Sequence, residues 1–446
     1  MKLADARKRL PVVDAGNPLP IADSRRAFKT PEGALPRPRL CVWEITLACD
    51  QKCIHCGSRA GAARPGELST EDALELVKEL RALGTGEVVL IGGEAYLRSD
   101  FILIIRAVRA AGMACTMTTG GLNLTAARIE AMVEAGITSV NLSIDGEEEA
   151  HDTLRGVQGS WRAAFTALAR LRAAGVPTAV NTQLNRLTYR SLEGLLEKLH
   201  AAGIGAWQLQ ITSPFGNAAD RPDILLQPYD YPELFASLER VVDRCAALGV
   251  RLWPANSLGY FGPGDHKLRQ FQRSSHYKGC HAGRTTIGVE ADGAIKGCPS
   301  LGGAGNVAGR WRPGTLRELW AGAPEVQYTR TRDTSALWGY CAECYYADLC
   351  RGGCTAVAEP LMGRPGNNPY CHHRALEMDR MGLRERVELV AAAPGVPFDH
   401  GLYRIVREFK DPTLRAAFGP LQTDEPRTAR AVDPEGAGRP VSPGEG

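Results

Sequence analysis

Between residues 40 and about 255, short β-branched runs alternate with longer segments whose apolar positions recur at helical spacing. Such alternation is the signature of repeated βα units, hence of a parallel sheet or barrel. Strands are predicted near Cys41 to Thr46, Glu87 to Ile91, Ala114 to Thr118, Ser139 to Ile144, Thr178 to Gln183 and Trp207 to Thr212. The intervening segment Ser69 to Leu83 has a helix's start signals: Ser69 as N-cap, with Glu71 and Asp72 placing acid in the first turn. Gly84, Gly112, Gly136, Gly175 and Gly203 each follow such a segment, where a helix C-terminus favours glycine.

Past residue 255 the pattern becomes Gly- and Cys-rich with few long apolar runs, which predicts a loop-rich domain stapled by metal. The predicted division is an N-terminal extension over 1–38, a βα domain over 39–255, a cysteine-rich domain over 256–375, and a helical segment with a poorly ordered tail over 376–446. A chain of 446 residues suits a barrel-sized domain plus a smaller one. The formal net charge is +3 and the basic residues are spread out, so a nucleic-acid partner is not expected. No apolar run has the length of a signal peptide or a membrane span, so a cytoplasmic protein without membrane contact is expected.

Thirteen cysteines change the picture, because an odd number without an export signal points to metal binding rather than to disulfides. Cys41, Cys115 and Cys245 stand alone and are expected to be buried thiols. Cys49, Cys53 and Cys56 are separated by three and then two residues, which gathers three thiolates on one loop. A cubane iron–sulfur cluster normally takes four thiolates, so three leave one iron open; thiolates at short spacing also suit zinc.

The Cys49-x3-Cys53-x2-Cys56 segment at the end of the first strand resembles the motif of the radical S-adenosylmethionine (SAM) superfamily. The resemblance implies a partial (β/α)6 TIM-like barrel joined to a smaller cysteine-rich iron–sulfur domain. It also implies a cluster whose open iron is chelated by SAM and whose electron cleaves SAM to a 5′-deoxyadenosyl radical. Gly92, Gly93 and Glu94 match the motif that binds the SAM amino group, with Ala95 where proline is common. Ser143 is expected at the SAM ribose and Arg155 at its carboxylate. Asn181 and Gln183 are candidate ribose contacts, and the backbone near Ile211, before Pro214 to Asn217, is a candidate adenine site.

The other seven cysteines are Cys280, Cys298, Cys341, Cys344, Cys350, Cys354 and Cys371. By spacing alone Cys341, Cys344, Cys350 and Cys354 could form a zinc ribbon. The whole pattern resembles the SPASM extension of radical SAM enzymes. That resemblance implies interleaving: Cys280, Cys298 and Cys354 on an inner auxiliary cluster, Cys341, Cys344, Cys350 and Cys371 on a distal one. Three 4Fe–4S clusters are therefore expected, with His281, His276, water or substrate as the inner cluster's fourth ligand.

The expected activity is hydrogen abstraction from a substrate, most relatives of this kind acting on peptides. Maturation of a ribosomally made peptide is the favoured reading, served by a low-potential electron donor; residues 1–38 are too short for a leader-binding domain, so leader recognition would fall to the barrel, the tail or a separate partner protein. Pro299 follows Cys298 where sulfatase maturases carry an acid, which disfavours that activity. Alternatives are radical modification of a small-molecule cofactor precursor and, in another class, a non-catalytic iron–sulfur electron carrier or zinc-stapled binding protein. The Gly92 to Glu94 motif and Arg155 argue against the last, because a carrier needs no SAM pocket.

Overall fold

The computed structural model describes residues 35–272 and 276–426, so nearly all of the expected N-terminal extension and the tail beyond 426 lie outside the described residues. Each predicted strand forms: β1 (Leu40–Thr46), β2 (Glu87–Gly92), β3 (Ala114–Thr119), β4 (Ser139–Ser143), β5 (Thr178–Leu184) and β6 (Ala206–Ile211). They pair in parallel in chain order, and β7 (Arg251–Pro254) adds a seventh parallel strand beyond the six expected. β7 escapes a pattern search because it is four residues long and exposes Arg251 and Trp253.

Helices α1 (Thr70–Leu83), α2 (Phe101–Ala110), α3 (Ala126–Glu134), α4 (Glu148–Arg155), α5 (Ser160–Ala173), α6 (Leu192–Ala201) and α7 (Tyr231–Leu248) connect these strands. The α1 cap is as expected: the Ser69 hydroxyl accepts from the Asp72 amide at 3.1 Å, and Gly84 closes the helix in the left-handed region. One apolar core joins the helices to the sheet, and Cys41, Cys115 and Cys245 are fully buried in it. Alternation along a strand gives the sheet two different faces. In β5, Val180, Thr182 and Leu184 are buried, whereas Asn181 and Gln183 face a cavity.

The domain boundary drawn near 255 does not interrupt the sheet. Strands β8 (Thr286–Val289), β9 (Ala294–Lys296) and β10 (Val307–Arg310) continue it past β1, giving the order β10-β9-β8-β1-β2-β3-β4-β5-β6-β7. β8 is parallel to β1, and the β8–β9–β10 run is antiparallel. The sheet stays open, as a partial barrel.

The helical segment expected over 376–446 needs correction. After a helix over His372–Arg380 come β11 (Leu383–Ala391), β12 (Leu402–Phe409) and β13 (Gln422–Asp424), a separate antiparallel sheet. The Arg- and Glu-rich sequence of β11 suggests helical charge pairs, but its charges pair across strands: Arg384 and Arg386 with Glu408, and Glu385 with Arg407. Cross-strand pairing of this kind is the sheet's counterpart of helical i,i+4 pairing. No helix among the described residues is long and apolar enough to cross a membrane.

Candidate active site

The loop after β1 carries Cys49, Cys53 and Cys56, and its backbone is tied down on every side. Cys49 N–H donates to Gly61 O at 3.0 Å, Lys52 and Ile54 N–H donate to Arg155 and Leu154 O, and Asn217 N–H donates to Cys56 O at 2.9 Å. The Asn217 side-chain amide also donates to Cys53 O at 2.8 Å. Thiol sulfurs accept from the Gln51 and Ala60 amides and from the Arg155 guanidinium at 3.4, 3.4 and 3.8 Å. Burial pushes the Cys49 thiol up to about 12 and the Cys53 thiol to about 11. Such thiols ionise when a metal supplies the opposing charge.

The Gly-Gly-Glu motif also packs against the cluster loop. A Cβ on Gly92 would lie 2.0 Å from Thr46 O, and one on Gly93 2.2 Å from Ala48 O. Gly93 and Glu94 N–H donate to these same carbonyls at 2.9 and 2.8 Å. The glycines thus permit the β2 terminus to dock on the cluster loop's own backbone. Glu94 is buried; its carboxylate accepts from Gly120 N–H at 2.7 Å and from the Thr119 hydroxyl. Burial pushes the Glu94 carboxyl up to about 7.

Arg155 is held by a partner that sequence reasoning passed over. Its Nη2 donates to Asp145 Oδ2 at 2.5 Å, and Asp145 also accepts from Gln183 N–H at 2.8 Å and lies 3.3 Å from His55 Nε2. Although burial opposes its ionisation, the Arg155 charge beside it holds the Asp145 carboxyl well below the ordinary carboxylate range. Burial, first, and the same Arg155 charge lower His151 to about 4, and this neutral ring accepts from Asp145 N–H at 3.0 Å. Asp145 is therefore the hub that aims Arg155 at the cluster loop.

A cavity of about 1330 Å³ runs along the inner face of the sheet. Its lining includes His55 and Gly57 of the cluster loop, Asn181, Gln183 and Ile211 of the sheet, and Cys280, Cys298 and Cys354. Ser143 is beside Asn181 in the β4–β5 register. Among the described residues, the buried polar atoms around this region without a hydrogen-bond partner include Gln51 Nε2, Arg155 Nε and Gln183 Oε1. Unsatisfied buried donors and an acceptor are what a polar ligand such as SAM would satisfy. The residues present fit the group.

The remaining thiols lie in two neighbourhoods. Cys354 feels the charge of Cys280 and Cys298, whereas Cys350 feels Cys371, Cys341 and Cys344. Those last four line one small pocket with Phe261, Tyr346 and Asn368. Among the described residues no three His, Cys, Asp or Glu side chains converge as around a single ion; a cubane instead distributes its thiolates over several irons. His281 lines the large cavity beside Cys280, its Nδ1 3.2 Å from the Thr285 hydroxyl.

A last contributor comes from the far C-terminal segment. Asp399 accepts from Arg59 Nε at 2.7 Å, its carbonyl accepts from Gly216 N–H, and Phe398 N–H donates to Gly57 O at 3.1 Å. Asp145 was visible in the Ser143-Ile-Asp145 run once its neighbours were suspected. Asp399 and Arg59, 340 residues apart, carry no sequence signal at all.

An open parallel barrel with three thiols on the loop after its first strand defines a class, and comparisons with known proteins agree. Residues 43–204 match the family model described as the radical SAM superfamily. The chain is 30% identical over 372 residues to mycofactocin maturase MftC of Mycobacterium ulcerans, covering 80% of this chain and 95% of that one. It is 29% identical over 357 residues to the AdoMet-dependent heme synthase of Methanosarcina barkeri, covering 76% and 97%. The solved structure of native anSMEcpe with bound AdoMet shares the fold at TM-score 0.62, with 18% identity over 76% of this chain and 94% of that one. The chain belongs to the radical SAM superfamily. It is an enzyme, with SAM and a 4Fe–4S cluster as cofactors.

Proposed function

We propose that this enzyme matures a ribosomally made peptide and uses three cubane clusters to do so. The SAM cluster is assigned to Cys49, Cys53 and Cys56, the inner auxiliary cluster to Cys280, Cys298 and Cys354, and the distal one to Cys341, Cys344, Cys350 and Cys371. When bound, the SAM cluster supplies a carbon radical able to abstract hydrogen from an unactivated position. The chain's own residues do the placing: Arg155 and Glu94, with Ser143, Asn181 and Gln183, hold SAM, and the Asp145 hub fixes Arg155. The Gly92–Gly93 backbone keeps the cluster loop against the sheet.

One observation carries the peptide reading: a single cavity joins the SAM-cluster loop to the inner auxiliary thiols and, beyond the residues assigned to SAM, is lined by Asn141, Gln208 and Gln210. Side-chain amides both donate and accept, which suits main-chain amides of an extended peptide. Relatives named mycofactocin maturase support the same reading. An electron left on the substrate has an acceptor in the auxiliary clusters, and an external low-potential donor primes the SAM cluster. Thirteen thiols suit a reducing, cytoplasmic setting.

The heme synthase relatives and the size of the cavity favour a second reading, a porphyrin-sized precursor. Anaerobically reconstituted protein with reductant and SAM is expected to form 5′-deoxyadenosine and to change the mass of a precursor peptide encoded beside it. Replacing Cys49, Cys53 and Cys56 by Ala should abolish both and leave about eight of about twelve irons. Parent-rate SAM cleavage by that variant would overturn the cluster assignment. An unchanged peptide together with a modified iron porphyrin would select the second reading.

A further inference from the structure

Outside the large cavity, a second pocket of about 320 Å³ lies between the two auxiliary thiol sets, bordered by Cys280 on one side and Cys350 on the other. Its charged lining is Lys278, Arg284, Arg332 and Arg351 against a single acid, Asp348. The three arginines place hydrogen bonds on carbonyl oxygens: Arg284 on Thr329, Arg332 on Arg351, and Arg351 on Arg332. A carbonyl accepts a hydrogen bond but leaves the cation's charge unneutralised. Among the described residues, the buried Arg332 Nη2 has no hydrogen-bond partner. The pocket shares Cys280 and Arg284 with the large cavity, and its outer wall, Asp348 and Arg351, is exposed.

We propose that this pocket receives carboxylate groups from an acidic segment of the substrate peptide, whose neighbouring residues then enter the large cavity past Cys280. The inference rests on the peptide reading above and adds the charge class of the substrate. Guanidinium groups suit it because their planar forks match carboxylates. A cationic pocket at the mouth of a channel also concentrates acidic ligands by its field. The competing use of these cations is to offset the negative charge of the clusters on either side.

The test uses the full chain, anaerobically reconstituted, and two labelled peptides: four glutamates in a glycine–serine frame, and the same peptide with glutamines. The glutamate peptide is expected to bind about tenfold tighter at low ionic strength, the gap closing as salt is raised. Arg332→Gln and Arg351→Gln should each weaken the glutamate peptide several-fold, and together by roughly tenfold, leaving the glutamine peptide unmoved. Arg240→Gln, on the remote α7 surface, controls for net charge. Equal affinity of the two peptides, or parent-like affinity in the double variant, overturns the proposal. So does a double variant in which only the auxiliary-cluster midpoint potentials shift, because the cations then serve the clusters. Failure of the peptide reading has a different signature: neither peptide binds, no precursor peptide is modified, and an iron porphyrin is.

Discussion

Replacing Gly92 by Ala tests why the SAM-cluster loop lies where it does. Gly92 has φ 144°, a conformation that side-chain-bearing residues rarely adopt, and its added Cβ would fall 2.0 Å from Thr46 O. Neither backbone can retreat easily, since Gly93 N–H donates to the same Thr46 carbonyl and Thr46 pairs with Gly92 in the β1–β2 register. Conformational strain costs about 1–3 kcal/mol and overpacking about 1–3 kcal/mol, so the total is roughly 2–6 kcal/mol. That is a large fraction of the roughly 5–15 kcal/mol of a typical domain. Gly112→Ala is the matched control: its φ is 76°, but nothing lies within 4 Å of the added Cβ, so only about 1–2 kcal/mol of left-handed strain is expected. Anaerobic melting and iron analysis check this. Gly92→Ala should lose about four irons per chain and melt well below Gly112→Ala. Parent-like melting and iron content with weakened SAM binding would refute the reasoning, because the glycine would then serve ligand approach rather than loop docking.

Glu94→Ala should weaken SAM affinity roughly ten- to hundredfold with iron content retained, by loss of a charge-assisted hydrogen bond. Arg155→Ala should do the same and, by leaving Asp145 buried without its partner, cost about 3–5 kcal/mol of stability; parent-like affinity of both variants in calorimetric titration removes them from the pocket. Asp152 accepts from the Gly159 and Trp161 amides at 2.6 and 2.8 Å and from the Ser160 hydroxyl at 2.9 Å. Despite some burial, those bonds hold its carboxyl below the ordinary value. Asp152→Asn should therefore cost about 1–3 kcal/mol at pH 7. The parent's advantage is present above the unfolded pKa of about 3.9 and disappears as pH falls through the depressed folded value. A parent–variant gap in denaturation midpoint that is constant from pH 7 to pH 3 would contradict this.

Local signals made the βα half of the molecule legible. Strand and helix periods, the Ser69 cap and the glycine stops are all encoded within a few residues of where they act, and β1 to β6 formed where they pointed. The thiol spacing likewise exposed the cluster loop, because three ligands on one loop are necessarily close in sequence. What stayed hidden depends on distant partners. The Arg and Glu residues of β11 and β12 have no period that distinguishes cross-strand from helical pairing. The close approach of Gly92 and Gly93 to the Thr46 and Ala48 carbonyls could not be read from their motif. Asp145 could be quoted from the sequence, but its role required knowing that His55 and Arg155 lie on either side of it. Asp399 and Arg59 meet only because the last sheet folds back over the loop.

The pairing of β8 with β1 has a consequence for how the chain is made. Leu40 finds its neighbour Glu87 early, but its other neighbour is Thr286. At about 5–20 residues per second on the ribosome, the free edge of β1 waits roughly 12–50 s for that partner. Non-local parallel pairing of this kind is slow, and an unpaired hydrophobic edge is open to other chains in the meantime. The buried side chains of Cys41, Trp43 and Ile45 make β1 a costly strand to leave uncovered. Chaperone cover for the nascent chain should therefore raise the soluble yield, whereas truncations ending before Thr286 would strand the edge for good.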